Sequence, residues 1–469
     1  MGAENQSITV EVVDIASDGM GVAKADGKVY FIEHTVIGDV VEILPLRRKK
    51  NAWQTRLLNI IQPSTDRIVP DCRYFGTCGG CKFQHIRYEA QLHFKQKQVE
   101  DALIRIGKLT IPAIQPILGC EQPFGYRNKV EFTFSSKRWL STSEIQSEET
   151  ISQSPALGFH VPQIFDKIVD IHECFLGDEL VNAIRNRVRE VALENQIPFY
   201  DIRNHTGLLR NLVLRNSPVT GERMVILILA YEQKPVTDLI FGTLEAEFPE
   251  ITSFIQIINP KQNDSYSDLP FSVWKGKSCL TERLGEFEYL ISPVSFFQTN
   301  TKQAEKLYQI VKNRMSKHEI VYDLYCGAGS IGIFVSALAK QIYGIEYVAK
   351  AVDDANLNCQ QNQLSHLQFF AGNLAEVLTA DFVQKTGKPD LIITDPPRAG
   401  MDPKVCKQLL EIESPKIIYV SCNPATQARD LQILSEKYEI VFVQPVDLFP
   451  QTAHVETVVE LNLRSFPNE

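Results

Sequence analysis

The last third of the chain alternates short apolar runs with segments of helical spacing. After a helix predicted at 301–315, strand-like runs lie at 320–325, 341–346, 367–371, 390–394, 416–421 and 438–446, and an alternating strand covers 455–463. Strands that alternate with helices form a parallel, doubly wound α/β sheet of Rossmann-like type. We expect the last strand to be antiparallel, at or near an edge of this sheet.

The first sixty residues have a different pattern, with short strand-like runs separated by glycine turns. Five such runs lie between residues 5 and 62, which predicts a small barrel of the oligonucleotide-binding (OB) type. The basic run 47–50 and Arg56 would give this barrel a basic rim, and Tyr30, Phe31 and Trp53 could stack on bases. Solvated charges and core aromatics explain these residues about as well.

Between these parts, the chain mixes both patterns and predicts an α+β domain. A helix is expected at 89–108 and another at 179–194, with strands at 129–134, 207–214, 224–231 and 253–258. The polar stretch 137–154 predicts an exposed loop. Arg and Asn residues within 126–129 and 209–215 could contact phosphate and sugar.

Composition limits the partners of the protein. A net charge of −9 means that nucleic-acid contacts must come from local basic clusters. No apolar run reaches the length of a membrane span, and the first residues are polar. We therefore expect a cytoplasmic monomer without a membrane partner or an obligate protein partner.

Three cysteines within ten residues indicate a metal site. Cys72, Cys78 and Cys81 lie among glycines, and Cys174 is the best candidate for a fourth thiolate. Zinc and an iron–sulfur cluster each accept four thiolates, so the spacing leaves both open. The spacing does count against a radical enzyme, whose triplet is normally Cys-x3-Cys-x2-Cys.

A glycine-rich turn follows the first strand of the doubly wound region. The segment 321–332 contains G-x-G-x-x-G, which would also fit a dinucleotide. Asp323-Leu-x-x-Gly-x-Gly resembles the first motif of S-adenosylmethionine (SAM)-dependent methyltransferases. Glu346 ends the second strand, where a carboxylate can bind both ribose hydroxyls.

An acid and a thiol follow two neighbouring strands of the predicted sheet. Asp395 opens the loop Asp-Pro-Pro-Arg, and Cys422 lies in Ser-Cys-Asn-Pro beside a helix start, a position that predicts a lowered thiol pKa. Thiolate addition at C6 of uracil makes C5 nucleophilic, and the C5 proton must then leave to a base. Glu456, at the start of the last strand, suits that role.

Together these motifs resemble the RNA uracil-C5 methyltransferases of the branch that carries a cluster and a TRAM barrel. The resemblance covers 7–463 and includes Phe-Phe-Gln-Thr-Asn at 296–300 and His-Val-Glu-Thr at 454–457. It implies a 4Fe–4S cluster rather than zinc on Cys72, Cys78, Cys81 and Cys174, with Cys422 as nucleophile and Glu456 as base. It implies SAM contacts from Gln298, Tyr325, Ser330, Glu346, Asn373 and Asp395, although relatives often carry Asn in place of Ser330.

The resemblance also bears on the substrate. Phe296 would stack on a flipped-out uridine. The barrel and the cluster favour 23S ribosomal RNA as the substrate, with tRNA as the alternative. The implied domains are a TRAM-type barrel at 1–65, a central RNA-binding domain with the cluster at 66–295 and a catalytic domain at 296–469.

Two other functions fit part of the sequence. A nicotinamide-dependent oxidoreductase would use the glycine-rich turn but leaves Cys422 and Glu456 unexplained. An RNA chaperone or assembly factor with a vestigial site would not need Cys422.

Overall fold

The protein is described here from a computed structural model. The structure describes residues 6–50, 52–140, 144–145 and 154–465. Most of the loop predicted at 137–154 and the first five residues therefore lie outside the described residues. It is a multidomain α/β protein with an N-terminal five-stranded barrel and a C-terminal doubly wound sheet.

The barrel is closed by five strands in the order β1-β2-β3-β5-β4. Its strands are β1 (Ile8–Ile15), β2 (Gly21–Ala25), β3 (Lys28–Ile32), β4 (Val40–Lys49) and β5 (Ala52–Gln62). Tyr30 packs with Val12 and Ile43 in the barrel core and is 4% exposed, so the prediction that it stacks on bases is wrong. Phe31 and Trp53 are half-buried.

A helical segment joins the barrel to the central sheet. Helix α1 (Tyr88–Asp101) follows the cysteine loop and continues as a π-helical turn, Ala102–Ile106. Phe83, Ala90 and Phe94 pack with Val36 of the barrel region and Ala453 of the catalytic domain. This small core therefore unites all three parts of the chain.

The central sheet has seven strands in the order β12-β11-β10-β9-β6-β7-β8. They are β6 (Lys129–Ser135), β7 (Ala156–His160), β8 (Ile168–Asp170), β9 (Leu209–Asn216), β10 (Arg223–Leu229), β11 (Ser253–Ile258) and β12 (Phe271–Gly276), with α2 (Glu179–Glu194) and α3 (Lys234–Glu247) on one face. Asn128, Arg210 and Asn211 are buried and direct their side-chain donors at oxygens of the protein, which makes them unsuitable for the predicted contacts with phosphate and sugar. Arg210 instead donates to the carbonyls of Asn259 and Asn263.

A hairpin that the sequence pattern did not predict, β13 (Leu280–Leu284) and β14 (Phe287–Ile291), precedes the C-terminal α/β domain. The main sheet of this domain has the order β17-β16-β15-β18-β19-β21-β20. The strands are β15 (His318–Leu324), β16 (Ala339–Glu346), β17 (Leu367–Ala371), β18 (Leu391–Thr394), β19 (Lys416–Ser421), β20 (Tyr438–Val446) and β21 (Glu456–Leu463). As predicted, β21 is antiparallel and lies next to the edge strand, β20.

Helices cover both faces of this sheet. They are α4 (Thr301–Asn313), α5 (Ser330–Phe334), α6 (Ala349–Gln361), α7 (Leu374–Val377), α8 (Ala380–Thr386), α9 (Pro403–Ile412) and α10 (Pro424–Leu434). Two apolar cores result, one shared with the central sheet and one between the main sheet and α9 and α10. Within the described ranges, no helix is both long and apolar enough to cross a membrane.

Candidate active site

Cys422 and Glu456 meet because β21 pairs with β19. The antiparallel register aligns Ser421 with Thr457, so the next position on each strand places Cys422 opposite Glu456. Asp395 follows β18, the other neighbour of β19. The side chain of Asn423 donates to the carbonyl of Arg398 (2.9 Å), which ties the two loops together. The structure therefore brings the predicted acid, thiol and base to one edge of the sheet.

Burial and neighbouring acids raise the pKa values of these three groups. Burial, helped by Asp395, raises the pKa of Glu456 to about 8, and burial raises the pKa of Asp395 to about 7. Burial and the two carboxyl groups raise the pKa of Cys422 to about 11. The prediction of a lowered thiol pKa is therefore wrong for the free protein, because desolvation and nearby acids outweigh Arg398 and the start of α10.

Arg398 is the cation that opposes this effect. Its charge lowers the pKa values of both Cys422 and Glu456. Arg398 Nη2 donates to His454 Nε2 (3.1 Å). Burial and Arg398 lower the pKa of His454 to about 4, so the ring is neutral at pH 7 and can accept this hydrogen bond. Both residues lie in the motifs quoted above, but their pairing depends on tertiary structure.

The glycine-rich turn between β15 and α5 is shaped to approach a ligand closely. Gly327, Gly329 and Tyr325 have positive φ angles. The amide of Gly332 donates to Asp323 Oδ2 (3.0 Å), and a Cβ on Gly332 would lie 2.8 Å from that oxygen. Asp323 is 1% exposed, and burial raises its pKa to about 7.

Three of the predicted SAM residues lie in or beside this turn. Glu346 accepts hydrogen bonds from the amides of Gly327 (3.1 Å) and Val348 (2.8 Å). Tyr325 and Asn373 line a cavity of about 250 Å³ together with Tyr347. Tyr347, which the sequence reasoning missed, is 75% exposed and directly follows Glu346. An exposed aromatic residue just after the strand-end acid was the available signal.

Ser330 and Gln298 are held by neighbouring elements. Ser330 Oγ lies 3.0 Å from the hydroxyl of Tyr308. The carbonyl of Gln298 accepts from Asn128 Nδ2 (2.9 Å), which fixes the loop 296–300 against the central sheet. Phe296 is 74% exposed in the same loop.

The four predicted ligand cysteines line one cavity of about 380 Å³. Cys72, Cys81 and Cys174 each raise the pKa of another of these thiols, and burial raises the pKa values of Cys78 and Cys81 to about 12. Donors point at the sulfurs. The amide of Gly80 donates to Cys78 Sγ (3.4 Å) and Gln84 Nε2 donates to Cys81 Sγ (3.1 Å).

The four thiols share a cavity without being gathered around one point. Across the described part of the chain, no three His, Cys, Asp or Glu side chains converge closely enough to hold one metal ion. A tetrahedral zinc ion needs four sulfurs at about 2.3 Å from one point. Four thiolates are the donor set that zinc and an iron–sulfur cluster both accept, so the residues fit either group.

Comparison with known proteins identifies the family. An RNA methyltransferase from Bacteroides thetaiotaomicron is 46% identical over 96% of this chain and 100% of that protein. The family described as tRNA (Uracil-5-)-methyltransferase matches residues 279–464. The chain belongs to the RNA uracil-5 methyltransferase family. It is a SAM-dependent RNA (uracil-5-)-methyltransferase.

Two further relatives support this assignment. An RNA methyltransferase from Porphyromonas gingivalis is 42% identical over 96% of the chain and 99% of that protein. The Pyrococcus abyssi tRNA (uracil-54, C5)-methyltransferase, solved with S-adenosyl-L-homocysteine, is 28% identical. It superposes with a TM-score of 0.76 over 97% of this chain and 100% of that one. The uracil-5 methyltransferase fold therefore extends over almost the whole molecule.

Proposed function

We propose that this methyltransferase uses Cys422 as a covalent nucleophile and Glu456 as the base. The observation that carries the proposal is the β19–β21 register, which places the two side chains opposite each other beside Asp395. Cys422 Sγ adds to C6 of uracil, and the C5–C6 electron pair moves toward O4. After C5 has been methylated, Glu456 removes the C5 proton, the C5–C6 double bond re-forms and the Cys422 thiolate leaves.

The raised pKa values explain how Asp395, Glu456 and Cys422 can stay neutral in the free protein and ionise when SAM binds. SAM, when bound, supplies the methyl group and a positive sulfonium. A positive charge beside Asp395 and Glu456 favours their carboxylate forms and lowers their pKa values. A carboxylate can then accept the proton of Cys422. The nucleophile is thus kept neutral until the site is loaded.

The proposed SAM site lies at the carboxyl edge of the main sheet, around the glycine-rich turn. Glu346 would bind the ribose, and Tyr325, Asn373 and Tyr347 would surround the base in the 250 Å³ cavity. The remaining proposed contacts come from Gln298, Ser330 and Asp395. Phe296 is proposed to stack on the extruded uridine.

The cysteine cavity is proposed to hold a 4Fe–4S cluster. Four thiols that line one cavity and the N–H donors aimed at Cys78 and Cys81 support this proposal, together with the resemblance to the cluster-containing branch. Its proposed role is structural. Cys72, Cys78, Cys81 and Cys174 would supply thiolates and join the segment before α1 to the segment before α2.

The proposed substrate is 23S ribosomal RNA, with the TRAM-type barrel at 1–65 and the central domain at 66–295 binding RNA and residues 296–469 performing catalysis. The combination of barrel and cysteine site supports ribosomal RNA. A tRNA substrate is the second candidate, because the solved Pyrococcus abyssi relative is a tRNA methyltransferase.

The test uses ribosomal RNA and tRNA transcripts that contain 5-fluorouridine. Fluorine cannot leave as a proton, so the reaction should stall as a covalent adduct visible on a denaturing gel. An adduct with ribosomal RNA alone supports the full proposal, whereas an adduct with tRNA alone selects the second candidate. Methylation of natural RNA without any adduct would refute Cys422 as the nucleophile.

A further inference from the structure

Two cations face each other in the central sheet. Strands β6 and β9 are antiparallel, and their register aligns Lys129 with Arg215. Like charges directly opposite each other on neighbouring strands destabilise a sheet. Such a pair therefore calls for a compensating anion.

The compensation within the protein is incomplete. Glu131 Oε2 lies 3.6 Å from Lys129 Nζ, but it also accepts a hydrogen bond from Tyr266 (3.1 Å). Arg215 is 6% exposed, and its Nη2 donates to the carbonyl of Ser295 (2.5 Å). Its Nε has no partner among the residues that the structure describes. One carboxylate thus serves two cations, and a buried donor is unused.

The position of this pair points to a ligand. Lys129, Arg215 and Glu131 line the 380 Å³ cavity, which also reaches Phe296. Arg215 holds the carbonyl of Ser295, the residue just before Phe296. A group bound by the two cations would therefore be a near neighbour of a base on Phe296.

The cysteine site does not account for this pair. Arg127 is the cation that lowers the pKa values of Cys81 and Cys174. The pKa of Lys129 is lowered to about 8 by burial and by Arg215, with Arg127 a smaller contributor, and Glu131 opposes this shift. Charge near the thiols is thus supplied by a different residue.

We propose that Lys129 and Arg215 form a binding site for one backbone phosphodiester of the RNA, next to the uridine on Phe296. This assignment rests on the proposed function, because it requires the target strand to enter beside Phe296. Arg215 offers a fixed planar donor and Lys129 a compact charge. A phosphate between them turns a repulsive pair into two charge-assisted contacts.

The test measures RNA affinity of the cluster-loaded protein. Labelled RNA fragments from the adduct-forming class are titrated at several salt concentrations with wild type, Lys129→Met and Lys129→Arg. Lys385→Met, an exposed lysine on α8, is the matched control. Lys129→Met should weaken binding about tenfold, and the slope of log affinity against log salt should fall by about 0.7. Lys129→Arg and Lys385→Met should keep the wild-type slope.

A second arm locates the phosphate. Fragments carry one neutral methylphosphonate at each position flanking the target uridine in turn. At one position, the methylphosphonate should weaken RNA binding by the wild type about as much as Lys129→Met does. At that same position it should weaken RNA binding by Lys129→Met only slightly further. Full additivity at every position would overturn the assignment.

Three other outcomes are also decisive. Unchanged affinity and slope in Lys129→Met would overturn the phosphate site while leaving the proposed function intact. Loss of iron and sulfide from Lys129→Met would mean that the lysine supports the cluster instead. If the wild type binds neither RNA class, the proposed function fails and the phosphate site with it.

Discussion

Cys422 stands between two acids, and this placement sets the pH response of the enzyme. Asp395 and Glu456 have pKa values raised to about 7 and about 8, so below pH 6 both hold a proton. Neither can then accept the thiol proton of Cys422. With 5-fluorouridine RNA and SAM well below saturation, where the rate reports the groups of the free enzyme, we expect adduct formation to accelerate as the pH rises from 6 to 9. A flat rate over that range would show that the proton goes elsewhere.

Replacing Glu456 by Gln should separate the two halves of the reaction. The amide cannot remove the C5 proton, so natural uridine should be methylated once and remain attached to Cys422. We expect a covalent adduct that contains a labelled methyl group on a denaturing gel. Glu439→Gln, at an exposed position of β20, is the control and should turn over normally. Free methylated RNA released by Glu456→Gln at the wild-type rate would assign the base to another residue.

The same substitution should change how stability depends on pH. The folded pKa of Glu456 is about 8 against an ordinary 4.5. The stabilisation from the folded state's bound proton is therefore complete below pH 4.5 and is lost as the pH rises to 8. One such group changes the free energy of unfolding by about 1.4 kcal/mol per pH unit within that window. The melting temperature of Glu456→Gln minus that of the wild type should therefore increase as the pH rises from 6 to 8. The same difference for Glu439→Gln should stay constant.

At the level of elements, the segment between β20 and β21 is held from outside the catalytic domain. The backbone amides of Lys82 and Phe83 donate to the carbonyl of Gln451 (2.8 and 3.0 Å). The buried side chain of Gln91 accepts from the amide of Gln451 (3.1 Å) and donates to its side-chain oxygen (3.0 Å). Residues next to Cys81 therefore hold the chain five residues before Glu456, which makes Gln91 a positioning residue.

Substituting Gln91 by Leu should disturb this connection. Two polar groups of Gln451 would lose buried partners, at about 1–3 kcal/mol each. We expect a lower melting temperature, faster hydrogen exchange at 449–455 and slower release of Glu456-dependent product, with SAM affinity unchanged. Glu100→Leu, at an exposed position of the same helix, provides the comparison. Protected amides at 449–455 in Gln91→Leu would argue against this role.

The elements differ in how well the sequence predicts them. Strands β15 to β19 were predicted because each is an apolar run that ends in turn residues, which is a local signal. Hairpin β13–β14 was missed because its strands are only five residues long and a charged residue, Glu282, occupies a buried position of β13, which breaks the apolar alternation. The neighbours of β21 in the sheet could not be read from its own pattern, because strand order depends on non-local pairing.

Across the whole molecule, the identities and the location of the site residues were easier to predict than their pKa values. Cys422, Asp395 and Glu456 follow or begin strands, so their arrival at one edge follows from topology. The sign of the Cys422 pKa shift depends on burial and on Glu456 lying opposite, and neither is visible in a linear motif. Tyr30 shows the same limit, since an aromatic residue in a barrel strand can face either side.

The contact between Lys82 and Gln451 also sets the order of events when the protein is made. All four cysteines have left the ribosome long before Gln451 is synthesised, and a contact across so many residues closes late. Loading of the proposed cluster can therefore begin on the nascent chain before the proposed base, Glu456, has been synthesised. In this order the proposed metal site is completed before the proposed catalytic site.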